Sequence, residues 1–156
     1  MIKIKIKKLD LNSVLPKKST KQAACYDVVA REVIVKDNLA TIKLGFSTEI
    51  PIGYKGVIVP RSSFTQKGWV MQNSPGQIDS DYRGEWMIKF EAIPRDVVSY
   101  IEEEVNSELI LSPFPYKEGD RVAQIFFEKT QNAYWEEVET LRPSIRDDGG
   151  FGSTGK

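Results

Sequence analysis

The chain has 156 residues, enough for one domain that buries roughly 70% of its unfolded surface. Its 22 basic and 22 acidic residues cancel, which excludes the broad field of a general nucleic-acid or membrane-surface binder and leaves any charged substrate to locally placed residues. Histidine is absent, so acid–base chemistry near neutral pH falls to a carboxylate, lysine, tyrosine or bound water, and zinc is disfavoured.

Residues 2–7 alternate isoleucine and lysine, a strand period rather than the unbroken apolar core of a signal peptide. No run is long enough to cross a membrane. Cys25 is a single cysteine without an internal partner, and the expected compartment is the reducing cytosol. Residues 10–24 are polar, hold Pro16 and a Lys-Lys-Ser-Thr-Lys cluster, and read as loop. Ala24-Cys25-Tyr26-Asp27-Val28 sets small residues against an acid, with Asp27 either a turn acid or a ligand. Brief β-branched or alternating runs at 33–35, 40–44 and 46–50 are separated by turn residues. That spacing predicts a β sandwich or barrel.

Val57 to Pro60 is an apolar strand ending in Arg61-Ser62-Ser63. A serine there is expected to cap a short helix running through Thr65, Gln66 and Lys67 and stopped by Gly68. Free N–H groups beside a guanidinium and two hydroxyls suit an anion, although an ordinary capped helix has the same sequence. Trp69-Val70-Met71 leads into the densest stretch, Asn73-Ser-Pro-Gly-Gln-Ile-Asp-Ser-Asp-Tyr-Arg-Gly-Glu85. Pro75-Gly76 signals one turn and Ser80-Asp81 a second. A hairpin turn at Ser80-Asp81 would make Asp79 and Tyr82 a cross-strand pair on one face, a proton acceptor beside a flat surface. An exposed acidic hairpin with a half-buried tyrosine is the plainer alternative. Residues 86–92 read as the strand leaving it.

Residues 95–108 read as an excursion, with Val97, Val98, Tyr100, Ile101 and Val105 spaced for an amphipathic helix, before a strand at Leu109–Leu111. Gly119-Asp120-Arg121 turns into a buried strand carrying one amide, Gln124, which must find hydrogen-bond partners. Residues 133–141 suggest a last strand anchored by Trp135. Residues 1–145 are thus expected to form one β domain, and residues 146–156 a flexible glycine-rich arm. Gly150 to Lys156 resembles the opening of a P-loop, but no buried parallel strand and crossover precedes it. The arm can still wrap phosphates with its N–H groups and close Phe151 over a ring. Stretched at about 3.3 Å per residue it reaches roughly 36 Å, far enough for a neighbouring subunit.

Five blocks in this order resemble the trimeric deoxyuridine triphosphatase (dUTPase) family: Ala-Cys-Tyr-Asp-Val at 24–28, Pro-Arg-Ser-Ser at 60–63, residues 73–85, Gly-Asp-Arg-Val-Ala-Gln at 119–124, and Arg-Asp-Asp-Gly-Gly-Phe-Gly-Ser-Thr-Gly at 146–155. The resemblance implies an all-β distorted jelly roll, assembly as a homotrimer with active sites at subunit interfaces, and hydrolysis of dUTP to dUMP and pyrophosphate with Mg2+. Carried over, Asp79 activates the water that attacks the α-phosphorus, and Tyr82 lies against the deoxyribose and excludes a 2′-hydroxyl. Asn73 with the backbone of Gln77, Ile78 and Met87 reads the uracil edge. Arg61, Ser62, Ser63 and Gln124 hold phosphates, and Asp27 contacts the metal through its water shell. The arm supplies Arg146, Phe151 over the uracil, and Gly152, Ser153 and Thr154 on the γ-phosphate.

Three departures stand out. Cys25 and Asp147 occupy positions where the family commonly has glycine, and residues 95–108 exceed its compact pattern, which admits either a protein partner or a surface flap without a role. Two rival readings are a dCTP deaminase of the same superfamily, which shares the jelly roll and an Arg-Ser-Ser block, and a nucleotide-sensing protein that binds a regulator through the excursion. The Asp79 to Tyr82 segment and the Gly-Gly-Phe-Gly-Ser-Thr arm fit the triphosphatase better.

Overall fold

A computed structural model describes residues 2–65, 68–101 and 104–149. Where the sequence alternates, strands form with one face inward: β4 (Leu39–Lys43) buries Ala40 and Ile42, and β9 (Met87–Ala92) buries Ile88, Phe90 and Ala92. These two pair antiparallel, and β3 (Glu32–Lys36) and β7 (Trp69–Met71) complete a four-stranded sheet in the order β3-β4-β9-β7. The second sheet runs β2 (Tyr26–Val29), β12 (Arg121–Lys129), β6 (Tyr54–Pro60), β8 (Gly76–Ile78). A small sheet pairs β1 (Lys5–Lys8) with β5 (Phe46–Glu49). All pairings between named strands are antiparallel, as expected of the jelly roll.

The core lies between the sheets, where Val28, Ile42, Leu44, Phe46, Ile58, Trp86, Ile88, Phe90, Val122 and Ile125 are buried. Trp86 is wholly enclosed, tilted against Phe46 at 5.6 Å, and its indole N–H donates to Thr48 Oγ1 at 3.1 Å. This satisfies the one polar atom of a large buried ring. A Cβ on Gly56 would meet the Trp86 ring at 2.6 Å, so only glycine lets the strand pass beneath it.

Three local expectations are corrected. Residues 95–101 and 104–108 are not helical: β10 (Arg95–Ile101) and β11 (Glu104–Ile110) pair antiparallel and, among the described residues, with no other strand. The β-branched residues Val97, Val98, Ile101 and Val105 favour a strand, and this local preference outweighed the helical spacing. The helix after Pro60 begins as a single 3-10 turn, Ser62–Phe64, with Arg61 at its start and no side-chain cap, and the expected continuation at Gln66 and Lys67 lies outside the described residues. Phe64 is buried against Phe90 and Tyr116, which draws the chain inward after one turn, and Thr65 is already extended. Finally, no strand forms at 133–141, and Trp135 is 94% exposed, so it anchors nothing among the described residues.

Candidate active site

Ile78 stands opposite Gly56 at the end of β8, and the chain then reverses through Asp79 to Tyr82, whose N–H bonds to the Asp79 carbonyl at 3.2 Å. The turn expected at Ser80-Asp81 is present. Its flanks differ from a two-stranded ribbon, because β8 pairs with β6 while β9 belongs to the other sheet. Asp79 and Tyr82 therefore close a turn that crosses between sheets. With Asn73, Gln77, Ile78, Glu85, Met87 and Lys89 they line a cleft of about 280 Å³.

Asn73 joins the cleft's two walls. Its Nδ2 donates to the Met87 carbonyl at 3.1 Å and its Oδ1 accepts from the Lys89 N–H at 3.0 Å, so it substitutes for a strand neighbour along β9. One amide hydrogen and one lone pair remain for a ligand. Tyr82 is half-exposed, and its hydroxyl donates to the Glu85 carbonyl at 3.0 Å.

A second cluster lies at the other end of the same sheet. Asp27 on β2 is 6% exposed and directly opposite Gln124 on β12. Gln124 Nε2 donates to Asp27 Oδ1 at 3.1 Å, Ser19 Oγ donates to Oδ2 at 2.7 Å, and Arg121 Nη1 donates to Oδ2 at 3.2 Å. Arg61 Nε lies 3.3 Å from Oδ1, and its Nη1 donates to the Arg121 carbonyl at 3.1 Å. Burial pushes the Asp27 carboxyl up, but the hydrogen bonds from Ser19 and Gln124 and the charges of Arg61 and Arg121 outweigh it. The net effect is a titration below the ordinary aspartate value of 3.8. Ser62 and Ser63 are exposed on the adjoining 3-10 turn. Beneath them Tyr116 stacks on Phe64 at 5.5 Å, and burial pushes its phenol up.

Among the described residues no three His, Cys, Asp or Glu side chains gather into a metal-binding group. Asp27 is a lone carboxylate, a donor set that suits contact with a hydrated Mg2+ held chiefly by a ligand's phosphates. Arg146 joins neither cluster; its Nε donates to the Gly149 carbonyl at 2.8 Å. Asp147 adopts φ 43°, a left-handed conformation that glycine takes freely and aspartate tolerates. Phe151, Gly152, Ser153 and Thr154 lie outside the described residues. Sequence reasoning missed Ser19 and Arg121 on Asp27, and Glu85 and Lys89 in the cleft. Glu85 and Arg121 lie inside the quoted motifs, whereas Ser19 sits in a polar loop with no pattern to single it out.

The antiparallel strands in two main sheets, with a cleft lined by Asp79 and Tyr82 at one edge and a cluster of cationic and amide donors at the other, define a jelly-roll protein. The dUTPase family model matches residues 12–104 and 105–155. Deoxyuridine 5′-triphosphate nucleotidohydrolases of Leptospira interrogans and Syntrophotalea carbinolica are 39% and 36% identical, over 99% of this chain and 99% and 97% of theirs. The dUTPase of Staphylococcus bacteriophage 80alpha, solved with dUpNHpp, matches with a TM-score of 0.79 at 27% identity over 100% of both chains. The dUTPase of phage phi11 of S. aureus, which carries a species-specific insert, shares the fold at a TM-score of 0.69 and 24% identity, over 90% of this chain and 98% of its own. The chain belongs to the dUTPase family.

Proposed function

We propose that the protein hydrolyses dUTP to dUMP and pyrophosphate, in a homotrimer whose active sites are shared between subunits. The observation that carries this reading is the relation of the two clusters along β6. Ile78 pairs with Gly56, so Asp79 leaves the sheet beside Lys55, whereas Arg61 follows Pro60 at the opposite end. Six residues of strand separate them by roughly 20 Å at about 3.3 Å per residue. A triphosphate cannot lie in the phosphate grip of one chain while its α-phosphorus meets Asp79 of the same chain. Two copies set side by side remove that conflict, and the arm of another copy can reach the same cavity.

In this arrangement uracil enters the cleft against the backbone of Gln77, Ile78 and Met87, with Asn73 fixing the wall. A pocket that merely leaves a methyl group unfilled discriminates by about 1–3 kcal/mol, so strong rejection of thymine rests on a clash with this stiff backbone. Tyr82 packs on the deoxyribose. Arg61, Ser62, Ser63 and Gln124 take the phosphate oxygens, and Arg146, Phe151, Gly152, Ser153 and Thr154 close from the arm, expelling water and strengthening each charge contact.

The Asp79 carboxylate accepts a proton from water as its oxygen bonds to the α-phosphorus, and the bond to the bridging oxygen of pyrophosphate breaks. A carboxylate is a weak base, so most of the rate comes from in-line positioning and from neutralising the leaving group. Asp27 would contact the water shell of Mg2+, which when bound spreads the triphosphate's negative charge. Supplying the protein with dUTP, dCTP and dTTP separately tests the reading. Pyrophosphate and dUMP are expected from dUTP; ammonia from dCTP, or no pyrophosphate from dUTP, rejects it.

A second reading concerns the β10–β11 hairpin, which among the described residues pairs with no other strand. Unpaired outer edges invite another chain, and this supports a protein partner at residues 95–108, added to hydrolysis rather than replacing it.

A further inference from the structure

Glu85 lines the cleft, yet its carboxylate is committed elsewhere: Oε1 accepts the Gly45 N–H at 2.8 Å. Gly45 is buried at the β4–β5 corner with φ 72°, a left-handed turn available to glycine without strain. A Cβ there would meet Ser13 Oγ at 2.2 Å, so the corner admits no other residue without a shift. A buried backbone N–H needs a partner, and Glu85 supplies it. The next residue is pinned to the same corner, Trp86 N–H to the Phe46 carbonyl and Leu44 N–H to the Trp86 carbonyl, both at 3.1 Å.

The backbone of Glu85 faces the other way. Its carbonyl receives the Tyr82 hydroxyl at 3.0 Å, folding the ring back over its own turn. Gly84 makes room for that fold: a Cβ there would lie 2.3 Å from Tyr82 Oη and 2.5 Å from Cζ. The ring is thus held at two points, by a hydroxyl bond to a carbonyl anchored in the core and by contact with a residue that has no side chain.

We infer that Glu85 is a positioning residue for sugar selection: its carboxylate ties the Tyr82 platform to the rigid Gly45 corner, so that the ring meets the sugar at a fixed height. The inference rests on the reading of Tyr82 as the surface against the deoxyribose. A ring free to tilt would still stack on a sugar but would yield to a 2′-hydroxyl. The carboxylate does no chemistry, and an amide oxygen at the same place does the same work.

The test compares kcat/KM for dUTP and UTP in the full-length protein and in Tyr82→Ala, Glu85→Ala, Glu85→Gln and Gly84→Ala, with assembly and melting temperature measured alongside. Misplacing a positioned group by about 1 Å costs up to 10²-fold, so Glu85→Ala and Gly84→Ala should each lower the dUTP:UTP preference by about tenfold or more. Glu85→Gln should restore the preference to within about threefold, because its amide oxygen can still accept from Gly45. If Tyr82→Ala leaves the preference unchanged, the reading of Tyr82 fails. If Tyr82→Ala abolishes the preference while Glu85→Ala lowers only the melting temperature, Glu85 is purely structural and the inference is overturned. Should Glu85→Ala fail to fold, Gly84→Ala and Glu85→Gln decide: an unchanged preference in Gly84→Ala, or a lost one in Glu85→Gln, rejects it.

Discussion

Gln124 stands directly opposite Asp27 on the neighbouring antiparallel strand, and its amide donates to the Asp27 carboxylate at 3.1 Å. Ser19 and Arg121 bond to the other oxygen, and Arg61 pairs with the same carboxylate. Asp27 is therefore the anion around which Arg61 and Gln124, two of the proposed phosphate-binding groups, are arranged. Removing it in Asp27→Ala leaves these donors without their acceptor, which costs about 1–3 kcal/mol for a buried polar group. Equilibrium unfolding should register that loss, and turnover at limiting Mg2+ should fall further than at saturating Mg2+. An equal fall at both concentrations would remove Asp27 from any contact with the metal's water shell.

The same carboxylate makes a pH prediction. Its folded-state value is depressed, so its stabilisation is fully present above the unfolded value of about 3.9 and is lost as pH falls through the lower folded value. Asp27→Asn should be less stable than the parent at pH 6, and the difference should shrink as both are taken below about pH 3.9. Asp10, held low by its hydrogen bond from Arg31, continues to titrate in both proteins and leaves a residual acid dependence. Denaturant midpoints across this range measure it; a constant gap means that Asp27 titrates normally.

Asp79 is exposed at the rim of the cleft, where an amide fits as well as an acid. Asp79→Asn should keep nucleotide affinity within about threefold, while turnover falls by about 10²–10⁴, the usual contribution of a positioned general base. Calorimetric binding of a non-hydrolysable dUTP analogue, set beside pyrophosphate release, separates the two. Retained turnover would pass the role of base to another group.

How much was legible in the sequence depended on how local the signal was. The runs at 40–44 and 86–92 carried local strand signals, and strands formed within a residue of them, at Leu39–Lys43 and Met87–Ala92. Gln124 was an amide in an apolar strand; it is half-buried rather than buried, and its amide donates to Asp27. The sheet change between Ile78 and Met87 could not be read, because it depends on which distant strands, β6 and β4, claim the two flanks. At Val97 and Val98 helical spacing and β-branching disagreed, and the backbone followed the latter. Ser19 was invisible for another reason: a serine in a lysine-rich loop carries no period, and its role comes only from where β2 and β12 set Asp27.

Among the described residues the hairpin of β10 and β11 makes its strand pairs internally. Replacing residues 95–110 by a short glycine-containing turn should leave kcat/KM for dUTP within about threefold, since the cleft and the phosphate grip keep their own anchors. Steady-state hydrolysis by the shortened protein tests this. Complete loss of activity would mean that the hairpin supports a site from which its strand pairing separates it.

Tyr134, Trp135, Leu141 and Ile145 are 86%, 94%, 86% and 111% exposed in the single chain, a run of large apolar side chains with no cover. Exposed apolar surface of this kind is what subunit interfaces cover, and the proposed trimer is expected to bury it. Trp135→Ala should weaken assembly without disturbing the fold, because the ring rests on nothing among the described residues. An aromatic anchor in an interface contributes about 2 kcal/mol or more, so the protein concentration for half-assembly should rise by about tenfold or more. Sedimentation velocity over a dilution series reads this, with far-UV circular dichroism as the check on folding. Activity should fall in step with assembly if, as proposed, each site takes Asp79 and the phosphate grip from different copies. A Trp135→Ala protein that assembles like the parent would take this segment out of the subunit interface. One that dissociates yet hydrolyses dUTP at full rate would refute the shared site itself, because one chain would then have spanned the length of β6 alone.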